Sequence, residues 1–299
     1  MIESRGASAM GGRVALTVIG APNGLLDELV WELDRLENLW SRFLPGSELT
    51  RLNDAEGRPV EVDPATVGLI RAMQAGFVET AGAFDPTLLP SLVDVGYAAS
   101  IDHPERVTAI PAAAASGGDP GAIEIEGCRV RLPSGMTLDS GGIGKGYAAD
   151  LLAARALESG ASGALIEIGG DLVAVGTGPI DGAWTVGVEH PDDPTTHLQI
   201  IRIASGAVAT SSTRRRRWSV DGETRHHLLD PRTLLPAITG LATATVIAGT
   251  GARAEALTKA AFVPPPEGFL NWLPTRNAAG LVVTTEGEIR STTNWEDYR

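Results

Sequence analysis

Residues 13–19 alternate polar and apolar side chains with the period of two that a half-buried strand requires. Leu26, Leu29, Val30, Leu33, Leu36 and Trp40 then recur at helical spacing, which predicts an amphipathic helix packed on a sheet. Asp63-Pro64 reads as an N-cap followed by proline in the first turn, opening a second helix that runs to about Thr80, with Gly82 beyond it. Residues 129–132 alternate like a short strand. Residues 147–157 are rich in Ala and Leu and end before Gly160, a residue suited to the position after a helix. The apolar run 164–168 predicts a strand that stops at Gly169-Gly170-Asp171. Further strands are predicted at 184–189, 198–203, 216–220 and 242–248, then a helix at 252–263 and a closing hairpin of 281–284 with 288–291. Residues 104–121, with Ala112 to Ala115 and Ser116-Gly117-Gly118, read as a loose surface excursion. Helices and hairpin strands are mixed without regular βαβ alternation, so the pattern predicts an α+β fold, with residues 1–299 forming a single domain.

Composition narrows the function. A formal net charge of −13 argues against general nucleic-acid binding, which needs a basic footprint. One cysteine, Cys128, excludes an internal disulfide framework and any CxxC metal site. No stretch approaches the roughly 18–20 apolar residues of a membrane span. The first ten residues are polar, with no secretory apolar run. A cytoplasmic protein with no membrane insertion is the expectation.

The stretch with most chemistry is Leu138-Asp139-Ser140-Gly141-Gly142-Ile143-Gly144-Lys145-Gly146-Tyr147. It predicts a glycine turn running into a helix start, where free N–H groups attract phosphate. It is neither a P-loop nor a dinucleotide fingerprint, because Asp139 and Gly146 stand at the wrong places and the glycine spacing differs. Only Lys145 and Lys259 among the 24 Lys and Arg residues are lysines. In a chain so biased to arginine, a retained lysine marks a place that needs a compact point charge. His226-His227-Leu228-Leu229-Asp230-Pro231-Arg232-Thr233 offers an imidazole and, three residues on, a carboxylate to orient it. Adjacent strand residues face opposite ways, and His227 is the one taken to face inward. The run Arg214 to Arg217 suits either a phosphate site or an exposed strand face.

These segments, taken in order, resemble the ApbE family, the FAD:protein FMN transferases. The matching stretches are Ala9-Met10-Gly11, Ser41-Arg42-Phe43, residues 47–53, Gly82-Ala83-Phe84-Asp85-Pro86-Thr87, residues 139–147 with Asp150, and Ile168-Gly169-Gly170-Asp171. Ala209-Thr210-Ser211, residues 226–233 and Ala254-Glu255-Ala256-Leu257 follow. The resemblance implies T-fold-like sheets with packed helices and an FAD cleft between subregions. It implies transfer of FMN from FAD to a threonine hydroxyl of a flavoprotein acceptor, with release of AMP. By position, Met10, Phe43, Ala83, Phe84 and Asp85 would border the flavin or its neighbouring groups, and Asp139 and Lys145 would contact FAD. His227 and Asp230 would serve the reacting phosphate, and the Gly142 carbonyl would help hold Mg²⁺.

Two departures stand out. Glu255 and Lys259 occupy positions where the family has Asp and Thr as metal ligands, leaving Thr258 as a neighbouring hydroxyl, and Leu234 replaces a glycine. The expectation is that Lys259, held by Glu255, lies against the pyrophosphate in place of part of the metal charge. The alternative readings are an FAD pyrophosphatase, with water in place of threonine, and a noncatalytic FAD-binding protein with a degenerate metal site.

Overall fold

The computed structural model describes every residue except Asp102, Pro194, Asp221, Pro266 and Glu267. Its centre is an antiparallel sheet of eight strands lying side by side in chain order. They are β1 (Ile2–Ala9), β2 (Gly12–Ile19), β3 (Gly163–Ile168), β4 (Asp171–Gly176), β5 (Gly206–Ser212), β6 (Leu241–Ala248), β7 (Ala279–Thr284) and β8 (Ile289–Ser291). Strands β1 and β2 join through Met10-Gly11, both at positive φ, which is the backbone a tight two-residue hairpin needs.

Four longer helices sit in the connections: α1 (Leu25–Trp40), α2 (Pro64–Glu79), α3 (Gly144–Glu158) and α4 (Gly251–Lys259). The expected cap of α2 is present, with Asp63 Oδ1 accepting from the Ala65 N–H at 2.8 Å. Helix α4 ends before the expected Val263. The Phe262 and Val263 N–H groups close a turn on the Lys259 carbonyl, and Pro264 and Pro265 follow.

The sheet is buried on both faces, and the period of two decides which residue goes where. Val173, Ala207, Ala244 and Val246 turn to the helices with Leu16, Ile166 and Leu152. Leu172, Ala174, Val208, Ile247 and Leu281 turn the other way, against the hairpin Trp184–Glu189/His197–Ile203 and Trp295.

Helices α3 and α4 cross at their N-termini. Gly146 and Gly251 meet there, and a Cβ on either would run into the other's carbonyl oxygen. Each helix also caps the other. Asp150 of α3 accepts from the Gly251 and Ala252 N–H groups at 2.6 and 2.9 Å, and Glu255 of α4 accepts from the Gly146 N–H at 2.8 Å. This crossing brings both lysines of the chain to one end of the sheet.

Candidate active site

The loop entering α3 is tied down by backbone bonds. Asn53, buried at the end of the short helix Glu48–Asn53, donates to the Leu138 carbonyl at 2.9 Å and accepts from the Leu138 N–H at 2.7 Å. The Asp139 N–H donates to the Pro86 carbonyl at 2.9 Å, which draws the Phe84-Asp85 turn alongside. Ser140 Oγ donates to the Trp40 carbonyl at 3.0 Å. None of these bonds uses the Asp139 carboxylate, which faces Arg42 Nε at 3.4 Å. Arg42 is buried between rings, with its guanidinium carbon 4.4 Å from the Phe43 centroid and 4.7 Å from that of Tyr97. Tyr97 in turn stacks on Trp218 at 5.3 Å. The result is a rigid aromatic wall with a cation inside it.

Two hollows meet over the loop. The larger, of about 480 Å³, is lined by Met10, Phe43, Asp139 and Lys145 among others. The smaller, of about 80 Å³, is lined by Ala83, Phe84, Asp85, Gly142, His227 and Lys259. Tyr97, Asp139, Gly141 and Arg216 border both, so the hollows form one cleft. Ten residues singled out from sequence therefore share a cavity: Met10, Phe43, Ala83, Phe84, Asp85, Asp139, Gly142, Lys145, His227 and Lys259. Asp85 accepts from the Thr87 N–H and hydroxyl, and burial raises its carboxyl above the ordinary carboxylate range against those bonds.

Lys145 does not pair with Asp139, its neighbour in the glycine loop. Its ammonium is bonded to Asp171 and lies 3.5 Å from Glu255 Oε1. Burial pulls its pKa down, but Asp171 and Glu255 outweigh that and leave it raised, so it is charged at neutral pH. The free helix N-terminus expected for phosphate is partly spent as well, because Glu255 already takes the Gly146 N–H. Lys259 Nζ donates to the Glu255 backbone carbonyl at 3.0 Å and to Thr258 Oγ1 at 3.3 Å. Glu255 therefore holds Lys259 through its main chain and not through the expected carboxylate pair. Burial lowers the Lys259 pKa, and the two nearby carboxylates only partly offset it.

His227 follows the end of the strand Glu223–His226 and turns into the smaller hollow, while its neighbour's Nδ1 accepts from the Leu228 N–H at 3.3 Å. Burial pushes the His227 imidazole well below its ordinary value, and Arg216 and Lys259 push it further. It is a neutral imidazole at neutral pH, able to accept a proton. The expected partner is elsewhere. Asp230 gives both carboxylate oxygens to Arg232, and His227 Nδ1 is buried with no hydrogen-bond partner. A two-residue separation lets Arg232 reach Asp230 before the chain can bend back to the histidine.

Sequence reasoning missed Arg216 as an individual, together with Arg42, Tyr97 and Asp171. Arg216 has φ 49 and borders both hollows, whereas Arg214 pairs with Asp192 and Arg215 with Glu189. Four identical residues in a row carry no signal for which one turns inward. Asp171 closes a Gly-Gly turn 26 residues beyond Lys145, with Asp139 and Asp150 nearer in sequence, so only the fold brings it to the lysine.

Two of the residues proposed as metal ligands, Glu255 and Thr258, already have other partners. Thr258 Oγ1 shares a 2.6 Å hydrogen bond with Ser211 Oγ and donates to the Glu255 carbonyl at 2.7 Å. Glu255 Oε2 is taken by Gly146, Glu255 Oε1 lies 3.5 Å from the Lys145 ammonium with no hydrogen-bond partner among the described residues, and the Lys259 ammonium lies on the Glu255 carbonyl and Thr258 Oγ1. Among the described residues no group of three His, Cys, Asp or Glu side chains is placed to hold a metal. A hard cation such as Mg²⁺ needs several free oxygens around one point, and here the Thr258 hydroxyl and the Glu255 main-chain carbonyl already hold the Lys259 ammonium.

The comparisons with known proteins agree with this geometry. The chain is 28% identical over 265 residues to a Klebsiella pneumoniae protein named FAD:protein FMN transferase, covering 86% of this chain and 76% of the relative. A crystal structure of the ApbE protein from Thermotoga maritima superposes with a TM-score of 0.86 at 29% identity, covering 100% of this chain and 99% of that one. The apo form of the Pseudomonas stutzeri flavinyl transferase ApbE superposes with a TM-score of 0.82 at 27% identity, over 99% of this chain and 96% of that one. The family model described as the ApbE family matches residues 10–282, and the chain belongs to that family.

Proposed function

We propose that this protein is an FAD:protein FMN transferase, moving FMN from FAD to a threonine hydroxyl of a flavoprotein acceptor. The observation that carries the reading is the convergence of Lys145, Lys259 and Arg216 with a neutral His227 along one aromatic-walled cleft. The named relatives support the same activity. Residues from the first hairpin to α4 line the cleft, which supports residues 1–299 acting as one unit.

The ring system of FAD fits the aromatic part of the cleft, where Phe43 and Tyr97 are held by Arg42. The pyrophosphate lies at the glycine loop, where the three cations meet its nonbridging oxygens. The threonine oxygen attacks the FMN phosphorus as His227 takes its proton. The bond from that phosphorus to the bridging oxygen breaks, and the electron pair leaves with AMP. One phosphoanhydride is lost and one phosphoester is gained. The proton on His227 then passes to solvent or to the departing phosphate.

No helix among the described residues is long and apolar enough to cross a membrane. We place the reaction in the cytoplasm. The test is incubation with FAD and a threonine-containing acceptor peptide, followed by mass spectrometry and AMP detection. A peptide heavier by one FMN unit, with equimolar AMP, is expected. FMN and AMP without a modified peptide would make the protein an FAD pyrophosphatase, and binding with no AMP at all would make it a noncatalytic FAD carrier.

A further inference from the structure

From the place of the second lysine we infer that this cleft holds the FAD pyrophosphate with a built-in ammonium, Lys259 Nζ, where a divalent cation would otherwise stand. The inference rests on the flavin transferase reading above and deepens it. Three observations carry it.

The first is occupancy of the donor oxygens. Lys259 Nζ is within hydrogen-bond distance of the Glu255 carbonyl and Thr258 Oγ1, and an ion using those oxygens would have to share the space of the ammonium. The second is charge balance. Asp171 is committed to Lys145 and to the Thr210 N–H at 2.9 Å, and Glu255 to the Gly146 N–H and Lys145. Two carboxylates already stand beside two ammoniums, with the Arg216 guanidinium at the same cleft. Asp139 at the same cleft already faces Arg42, so a divalent cation placed here would meet both ammoniums at close range, whereas a pyrophosphate would be attracted by them.

The third is the choice of side chain. A chain with only two lysines among its 24 Lys and Arg residues places one of them here. The Lys259 stem runs beside the glycine loop, where an ideal Cβ on Gly142 would lie 3.4 Å from Lys259 Cε and 3.0 Å from Phe84, and its compact ammonium differs from the broad guanidinium used elsewhere in the chain. During transfer Lys259 donates hydrogen bonds to nonbridging oxygens and neutralises charge as AMP departs. It gives up no proton.

The experiment is an FAD titration of the native protein by flavin fluorescence, in EDTA and in excess MgCl₂. It is paired with a Mn²⁺ titration of the FAD-free protein by electron paramagnetic resonance. Native FAD affinity should agree within about twofold between the two buffers, and no tightly bound Mn²⁺ should appear. Lys259→Met, checked for native circular dichroism, should lose about tenfold or more in FAD affinity, with no recovery in Mg²⁺. Native binding that vanishes in EDTA and returns with Mg²⁺ overturns the inference, as does a stoichiometric Mn²⁺ site. A folded Lys259→Met protein that binds FAD like the native also overturns it. If the native protein binds no FAD in either buffer, the flavin transferase reading itself has failed, and the failure is visible as such.

Discussion

The glycine loop at 138–145 and the arm at 213–236 face each other across the same cleft, yet they are held in opposite ways. The loop is fixed by buried bonds to three separate parts of the chain: Asn53, Pro86 and Trp40. The arm consists of two small antiparallel pairs, Arg217–Val220/Glu223–His226 and Leu229–Asp230/Leu235–Pro236, outside the eight-stranded sheet. It reaches the body through the Trp218 indole N–H on the Val95 carbonyl at 2.7 Å, the Tyr97–Trp218 stack, the Thr213 hydroxyl on the Leu241 carbonyl at 2.9 Å, the Arg214–Asp192 and Arg215–Glu189 pairs, and Leu229 packed with Leu88, Leu92 and Val95. Its histidine has an unfilled Nδ1, and close beyond it Leu235 is 57% and Ile238 99% exposed. The loop is tied chiefly through its own main chain at Leu138 and Asp139, whereas the arm is tied chiefly through side chains. Under the proposed roles, altering the loop or Arg216 should change FAD binding, and altering His227 should change the chemistry.

The largest effect is expected at His227. His227→Ala should lower transfer by about 10²–10⁴-fold while FAD affinity stays within about twofold, and His226→Ala should change little. The native pH–rate profile belongs to the same test. Because burial lowers the His227 pKa, the neutral base persists as pH falls through 6.5, and the acid limb should lie well below that value. A limb at 6.5 would place the base in water and not in the cleft.

Next is the clamp on the opposite wall. Asn53→Ala strips two buried bonds from Leu138, and urea denaturation should show a loss of about 2–4 kcal/mol, with weaker FAD binding. Full stability in that variant would mean the loop is held by its other bonds alone. Back on the arm, Arg216→Ala should weaken FAD binding by about five- to tenfold in a fluorescence titration, and Arg215→Ala should leave it unchanged. Equal effects at the two arginines would show that the whole run acts as a diffuse charge. The smallest effect is expected for Asp230→Asn, with transfer within about twofold of native and the acid limb unmoved, because its carboxylate serves the exposed Arg232. A shifted limb would show that Asp230 does reach His227 during turnover.

The two walls also differ in how readable they were. The glycine loop, its lysine and the helices around it announce themselves through periodicity, caps and a rare residue type, and α1 and α2 appear where the pattern puts them. Strand β1 was hidden because only Ala9 of its eight residues is buried, so main-chain pairing with β2 and not side-chain alternation makes it a strand. Strand β4 was hidden for the opposite reason. Leu172 and Val173 are buried on opposite faces, and a continuous apolar run has no alternation to read. On the arm, the inward turn of Arg216 depends on a positive φ at a non-glycine residue, for which composition has no marker. The missing partner of His227 was equally hidden, since proximity in sequence led to Asp230, which Arg232 takes first.

The reciprocal capping of α3 and α4 makes the lysine end of the cleft a single cooperative unit. Neither helix can fray alone, because opening one removes the acceptor that closes the other. The amide protons of Gly146, Gly251 and Ala252 should therefore exchange with solvent at one common rate, set by a joint opening. Acidity tunes that opening through Asp150, whose pKa burial raises from 3.8 to about 6. The folded protein then binds a proton there that the unfolded chain has already released, so Asp150's contribution to stability is full below about pH 4 and lost as pH rises through about 6. Exchange at the three amides should quicken in step over that interval, beyond the intrinsic base catalysis of exchange. Lys145 and Lys259 loosen together or not at all.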